Sequence, residues 1–142
     1  ALSLSCLAGC GKSVVLNTAD VADGVLSSVT FTEYLEPVTT DIEVKRMGLD
    51  AAKIEECSAY VGTKAVVDEI AVLKSSDAEQ TTQEVQAYIE AQKESYASYK
   101  PDEVTKLADC VVKTVGDYVI YVASADNQTA QSVVDSLTTA QK

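Results

Sequence analysis

Between residues 66 and 101 the spacing of apolar positions changes period. Val66, Val67, Ile70, Val72 and Leu73 form a short, β-branched run, the pattern of a mostly buried strand, interrupted by Asp68 and Glu69. Ser75 and Ser76 break the run. Ser76 stands three residues before Glu79, the spacing of a capping box, and Asp77 and Glu79 would occupy a first turn, where the helix dipole favours negative charge. From there Ala78, Thr82, Val85, Ile89, Gln92, Tyr96 and Tyr99 recur at threes and fours and share one helix face. Gln83, Glu84, Gln86, Glu90, Lys93 and Glu94 fall mostly elsewhere. Pro101 disfavours helical backbone at Lys100, so the spacing predicts a helix over 77–99, roughly 33 Å long at about 1.5 Å per residue.

The flanking segments give shorter elements. Thr18 is placed to cap a helix to about Val29, with Val21, Ala22, Val25, Leu26 and Val29 on one side; Gly24 weakens it by ~1 kcal/mol relative to alanine. Phe31, Tyr34 and Leu35 are expected to anchor a turn or short helix against the core. A second short helix is expected over Asp41 to Met47, ended by Gly48 in a left-handed cap. Ile54 to Val61 reads as a strand, and Gly62-Thr63-Lys64 as the turn into the strand at 66–73. Pro101 opens a short helical turn, PDEVTKLA. Cys110 to Val115 and Tyr118 to Ser124 flank Gly116-Asp117 as a hairpin that pairs Val115 with Tyr118, Lys113 with Ile120 and Val111 with Val122. Its other face carries Cys110, Val112, Tyr121 and Ala123, so it is expected to be covered on both sides. A last helix over 126–138 turns Ala130, Val133, Val134 and Leu137 inward. These elements predict an α+β fold: a mixed or antiparallel sheet of about four strands, with the 77–99 helix and the C-terminal helix packed on it and an N-terminal helical segment.

Length and charge narrow the function. The 142 residues fit one domain, and 46% hydrophobic residues mark a globular chain. The net charge of −11 argues against nucleic acid, since little here would neutralise phosphates. The absence of histidine removes the commonest general base, the usual triads and His-based zinc sites. No cofactor and no metal site is expected. With no tryptophan and one phenylalanine, the seven tyrosines carry most of the aromatic packing.

Residues 1–10, ALSLSCLAGC, are an apolar, small-residue run ending in Leu7-Ala8-Gly9-Cys10 and followed by polar Gly11-Lys12-Ser13. This resembles the lipobox of bacterial lipoproteins, in which a signal peptidase cuts before the cysteine and the thiol carries a diacylglycerol. The alternative is a buried N-terminal strand with two core cysteines. With no charged stretch before the apolar run, the chain is expected to begin inside the signal. The expected organisation is a signal-peptide remnant at 1–9, a lipidated tether at 10–17 attached through Cys10, and a single domain at 18–142. No apolar run reaches the ~18 residues of a membrane-spanning helix.

Three segments carry a family resemblance: VVDEIAVLK, QKESYASYKPDE and VGDYVIYVAS. They resemble domain-of-unknown-function family 4358 of bacterial lipid-anchored proteins. The resemblance covers residues 10 to about 138 and rests on Asp68, Glu69, Ile70, Ala71, Gln92, Lys93, Ser95, Tyr96, Tyr99, Pro101, Gly116, Tyr118 and Val119. It implies a lipobox, a helical N-terminal part, a D-E-I-A strand, a long helix and a G-x-Y-V strand. It implies no activity and no catalytic residue.

The candidate chemistry is sparse. Asp68 and Glu69 are strand neighbours and point to opposite faces, so they cannot act as a facing pair. Either could be a lone acid of raised pKa or a binding carboxylate. The preferred alternative is structural, with each capping a neighbouring helix or meeting Lys93. Tyr88, Tyr96, Tyr99, Tyr118 and Tyr121 could line a sugar- or peptide-binding surface, although tyrosines at helical spacing more often pack in a core; Tyr99, at the helix end, is the expected exposed member. Tyr96 and Tyr99, with Asp68 and Glu69, are the candidate binding residues. Cys57 and Cys110 have no metal-ligand spacing; they are either a disulfide, as an exported protein allows, or two buried thiols. The expected role is a lipid-anchored, extracytoplasmic, non-catalytic domain on the outer face of the bacterial cytoplasmic membrane. It would bind a partner protein or a cell-wall component. The alternative is an envelope hydrolase using a single carboxylate, Asp68 or Glu69.

Overall fold

The structure is a computed structural model that describes residues 14–139. Within them the helices are α1 (Thr18–Ser28), α2 (Thr40–Met47), α3 (Ala78–Ala97), α4 (Pro101–Ala108) and α5 (Asn127–Thr139), with a 3-10 turn at Ala51–Lys53. The strands are β1 (Glu36–Val38), β2 (Ile54–Val61), β3 (Glu69–Ser75), β4 (Val111–Val115) and β5 (Tyr118–Ala123). They form one antiparallel sheet in the order β1-β2-β3-β5-β4. The fold is therefore α+β.

Strand periodicity sorts the core into two layers. Ile70 and Val72 of β3, with Tyr118, Ile120 and Val122 of β5, face α1 and α5, where Val21, Ala22, Val25, Ala130 and Val134 cover them. Ala71 and Leu73, with Val119, Tyr121 and Ala123, face α2, α3 and α4 and meet Val44, Met47, Val85, Ile89, Tyr96 and Leu107. Helices on both faces explain why the two central strands read as continuous apolar runs.

The hairpin register is the one expected, with Val115 opposite Tyr118, Lys113 opposite Ile120 and Val111 opposite Val122. Gly116 turns it at φ 56°, and Gly48 ends α2 at φ 69°, conformations that suit glycine because a Cβ would be strained there.

Several local expectations are corrected. The sheet has five strands rather than about four, because Glu36–Val38 adds a three-residue edge strand on β2. The 30–37 segment is thus not a helix, and of its three expected anchors Leu35 is buried and Phe31 packs against the core, while Tyr34 is 77% exposed. Asp77, not Ser76, caps α3, its side chain accepting from the Gln80 amide at 3.1 Å. Asn17, not Thr18, caps α1, and the Thr18 hydroxyl turns inward to Ser58 Oγ at 2.9 Å. In each case the residue one position away has the short acceptor side chain the cap needs. The third strand begins at Glu69 rather than at Val66, since residues 66–68 belong to the loop after β2.

The buried face of α3 holds Thr81, Val85, Ile89 and Tyr96. Ile89→Ala should cost about 2–5 kcal/mol, as deletions of buried aliphatics do. Glu90→Ala, on the solvent side with only a surface contact to Lys93, should stay within about 0.5 kcal/mol. Equal urea midpoints for the two variants would contradict this assignment of faces.

Candidate functional site

One cleft gathers three of the four candidate binding residues, Asp68, Tyr96 and Tyr99. Gln92, Ser95 and Tyr96 lie at i, i+3 and i+4 on one side of the C-terminal end of α3, and Tyr99, two residues past the end of that helix, joins them. The loop Gly62–Asp68 between β2 and β3 forms the facing wall, with its neck closed by the Gly62 amide on the Asp68 carbonyl at 3.1 Å. Tyr96 holds loop to helix, its hydroxyl lying 2.7 Å from the Lys64 carbonyl oxygen and 3.2 Å from that of Val66. Arg46 from α2 reaches the cleft from below. The cavity is about 310 Å³, lined by Arg46, Lys64, Asp68 and the Tyr96–Tyr99 pair among others, with the two rings 5.8 Å apart. Larger depressions of about 510 Å³ beside α4 and about 640 Å³ along β1 touch neither Arg46 nor these tyrosines.

Behind the cleft sits a buried polar cluster. Glu43 lies on the inward side of α2, and Glu69 points to the same side of the sheet; both are fully buried. Arg46 ties them together: its Nε donates to Glu43 Oε1 at 3.3 Å, and its Nη2 donates to Glu69 Oε1 at 3.1 Å and to the Tyr88 hydroxyl at 3.0 Å. Tyr88 in turn donates to Glu69 Oε1 at 2.6 Å. Glu43 Oε2 and Glu69 Oε2 have no hydrogen-bond donor among the described residues, nor does the buried Tyr121 hydroxyl have a partner. Two buried carboxylates on one guanidinium are like charges in a low-dielectric site, which favours a proton on one of them. Burial, a hydrogen bond to Glu69 and its negative charge push the Glu43 carboxyl up to about 10. Glu43 therefore carries that proton at neutral pH. Burial disfavours the Arg46 charge, but Glu69, Tyr88 and Glu43 more than offset that and hold it protonated. Burial and the Glu69 charge likewise raise Tyr88, which stays a neutral donor.

The second carboxylate of the pair has a different environment. Asp68 Oδ2 accepts from the Thr32 amide at 2.6 Å, and Oδ1 accepts from Lys106 Nζ at 2.9 Å. Lys106 also reaches Glu103, whose Oε1 accepts from the Val67 amide at 2.8 Å. Both Asp68 oxygens are thus occupied by donors that fix the β2–β3 loop to α4 and to the segment before β1.

The structure brings Asp68, Tyr96 and Tyr99 into one cleft and places Glu69 behind it, joined through Arg46. Tyr99 is 62% exposed, as expected for the helix end. The strand carboxylates meet Arg46 and Lys106, not Lys93, which pairs with Glu90. Sequence reasoning missed Glu43, Arg46, Glu103 and Lys106. The available signal was an acid within an apolar helix stripe, since Glu43 shares the inward side of α2 with Val44 and Met47. Cys57 and Cys110 are both free, so the disulfide considered is not formed. Cys57 is in β2 and Cys110 adjoins β4, with β3 and β5 between them. Three interstrand spacings of about 4.8 Å exceed the ~7 Å Cα separation a disulfide tolerates. Cys10 lies outside the described residues.

No match is found among curated proteins or among solved structures. The model of the family described as Domain of unknown function (DUF4358) matches residues 28–124, more than half of the 142-residue chain and inclusive of both walls of the cleft, and the protein belongs to that family.

Proposed function

We propose that the protein is a lipid-anchored, extracytoplasmic binding domain of the bacterial cell envelope, tethered through Cys10 and engaging its ligand in the cleft between α3 and the β2–β3 loop. One observation carries the binding part. The cleft presents hydrogen-bond donors and an exposed tyrosine, while the carboxylates that could act as acids are committed elsewhere. Glu69 is 1% exposed and held by Arg46 and Tyr88. Asp68 has a fully buried side chain with both oxygens bonded. The alternative, an envelope hydrolase using Asp68 or Glu69, is favoured only by Asp68 lining the same cleft as Tyr96 and Tyr99. A general acid or base must reach a substrate proton; both Asp68 oxygens are bonded within the protein, and Glu69 does not line the cavity. For the anchor, the support is the Leu7-Ala8-Gly9-Cys10 tetrapeptide, and no helix among the described residues is long and apolar enough to cross a membrane.

The test places a photo-crosslinking amino acid at position 99, and as a control at Ser27 on the far helix layer, in cells producing the protein from its precursor. Position 99 should capture one envelope component and Ser27 should not. Equal labelling from both positions, or none from 99, rejects the cleft. In the same cells Cys10 should carry a diacylglycerol mass that Cys10→Ala abolishes, since two buried acyl chains, at ~0.8 kcal/mol per CH₂, are needed for stable anchoring. A native protein without lipid on Cys10 rejects the anchor.

A further inference from the structure

The cleft has a chemical preference that its charge pattern makes specific. The chain has only 11 basic residues against 22 acidic ones. Four of those bases, Lys74, Lys93, Lys106 and Lys113, pair with carboxylates. Arg46 and Lys64 line this one cavity. Lys64 makes no ion pair among the described residues. Arg46 uses Nε and Nη2 on Glu43, Glu69 and Tyr88, but its Nη1 group, with two N–H donors, has no protein partner among the described residues. The side chain is 36% exposed where it lines the cleft. The Gln92 amide and the Ser95 hydroxyl, on the helix wall, also make no side-chain hydrogen bond among the described residues. The single acid lining the cavity, Asp68, is neutralised by Lys106.

We propose that this cleft binds a carboxylate group, received by Arg46 Nη1 and Lys64, on a ligand whose apolar or ring portion lies against Tyr99. A guanidinium N–H gives a charge-assisted bond to a carboxylate; with Nε and Nη2 spent, Arg46 supplies one such donor from Nη1 and Lys64 supplies the second. The Nη1 donor is already oriented: the bonds from Nε and Nη2 lock the guanidinium plane, so little rotamer freedom remains to be lost on binding. The proton on Glu43 matters here. With Glu43 neutral, the cluster behind Arg46 carries one negative charge rather than two, and the guanidinium keeps more of its attraction for an external anion. Tyr99, exposed and tilted against Tyr96 at 43°, offers a face for the rest of the ligand. The volume of about 310 Å³ admits a peptide terminus or a single acidic sugar.

The inference rests on the binding reading above, and its test is separate from the crosslinking one. Amide chemical shifts of the 142-residue chain are followed during titration with N-acetylphenylalanine, with N-acetylphenylalaninamide and with glucuronate. The carboxylate should shift Lys64, Ser95 and Tyr96 saturably, and the uncharged amide should bind about tenfold more weakly or worse, the loss expected for a charge-assisted hydrogen bond. Lys64→Gln should weaken the carboxylate severalfold without changing the thermal midpoint. Arg46→Lys keeps the charge and loses the Nη1 donor held in place by the other guanidinium bonds, so it should weaken it further. Tighter binding of the aromatic acid, lost in Tyr99→Ala, identifies a peptide terminus; tighter binding of glucuronate identifies an acidic sugar. Equal binding of acid and amide, shifts outside the cleft, or no saturation with any of the three overturns the proposal. If crosslinking from position 99 still succeeds in that event, the cleft binds a ligand of another class; if it fails too, the binding reading falls with it.

Discussion

Arg46→Ala should destabilise the protein by about 3 kcal/mol, the lower end of the range for removing one partner of a buried ion pair. The cost arises in what remains. Glu69 is 1% exposed and would keep neutral donors alone, the Tyr88 hydroxyl foremost, with no counter-charge. The low end applies because Arg46 itself is partly solvated, so water can follow into the space it vacates. Adding Glu69→Gln to Arg46→Ala should recover a large part of the loss, since an uncharged amide no longer needs a counter-ion. Urea unfolding of the two single variants and the double variant at neutral pH measures this. A single-variant loss below about 1 kcal/mol, or no recovery in the double variant, would show that Arg46 does not neutralise Glu69.

Stability should fall as pH rises through the neutral range, and Glu43→Gln should flatten that fall. The Glu43 carboxyl is raised from 4.5 to about 10 by burial, by its hydrogen bond to Glu69 and by the Glu69 charge. Between those values the folded protein holds a proton that the unfolded chain has released. Its contribution is complete below pH 4.5 and is lost progressively up to about pH 10. One proton gives a slope of at most about 1.4 kcal/mol per pH unit. Exposed Glu33, Asp126 and Asp135 are lowered mainly by hydrogen bonds from Thr63, Thr129 and Lys113, so they act with the opposite sign and below their ordinary values. Burial raises Cys57 to about 12 and Cys110 to about 11, which adds a loss in the same direction only as unfolded thiols ionise near 9.0. The clean window is therefore about pH 5 to about pH 8. Free energies of unfolding across it should decline in the native protein and run nearly level in Glu43→Gln, whose amide mimics the protonated acid. Parallel slopes would place the proton elsewhere.

Both predictions concern residues that the sequence did not mark, and the reason is geometric. Glu43 and Arg46 read as ordinary charges on a short, polar helix. Only the docking of α2 over β2, beside α3, turns Glu43 inward and stacks it with Glu69, which lies 26 positions further along the chain. Lys106 meets Asp68 for the same reason. Its helix, announced by Pro101, was legible; its position over the β2–β3 loop was not. Sequence periodicity reports which side of an element is buried and is silent on what covers it.

The sequence by itself determined the elements and the core. The period-two and period-3.6 patterns place β2, the β4–β5 hairpin with its register, and α3 with its buried Val85, Ile89 and Tyr96. Turn and cap chemistry acts over a few residues and can be read locally, as Gly48, Pro101 and Gly116 show. Tertiary structure alone decided the rest. The strand order keeps Cys57 and Cys110 apart, and the edge strand β1 forms only because β2 offers it unpaired backbone groups. The cleft exists because α3 ends beside the β2–β3 loop, where Tyr96 bonds to that loop. Charges far apart in sequence become one cluster only when packing removes water from between them. The same burial that keeps Glu43 protonated beside Glu69 leaves Arg46 oriented toward the cleft.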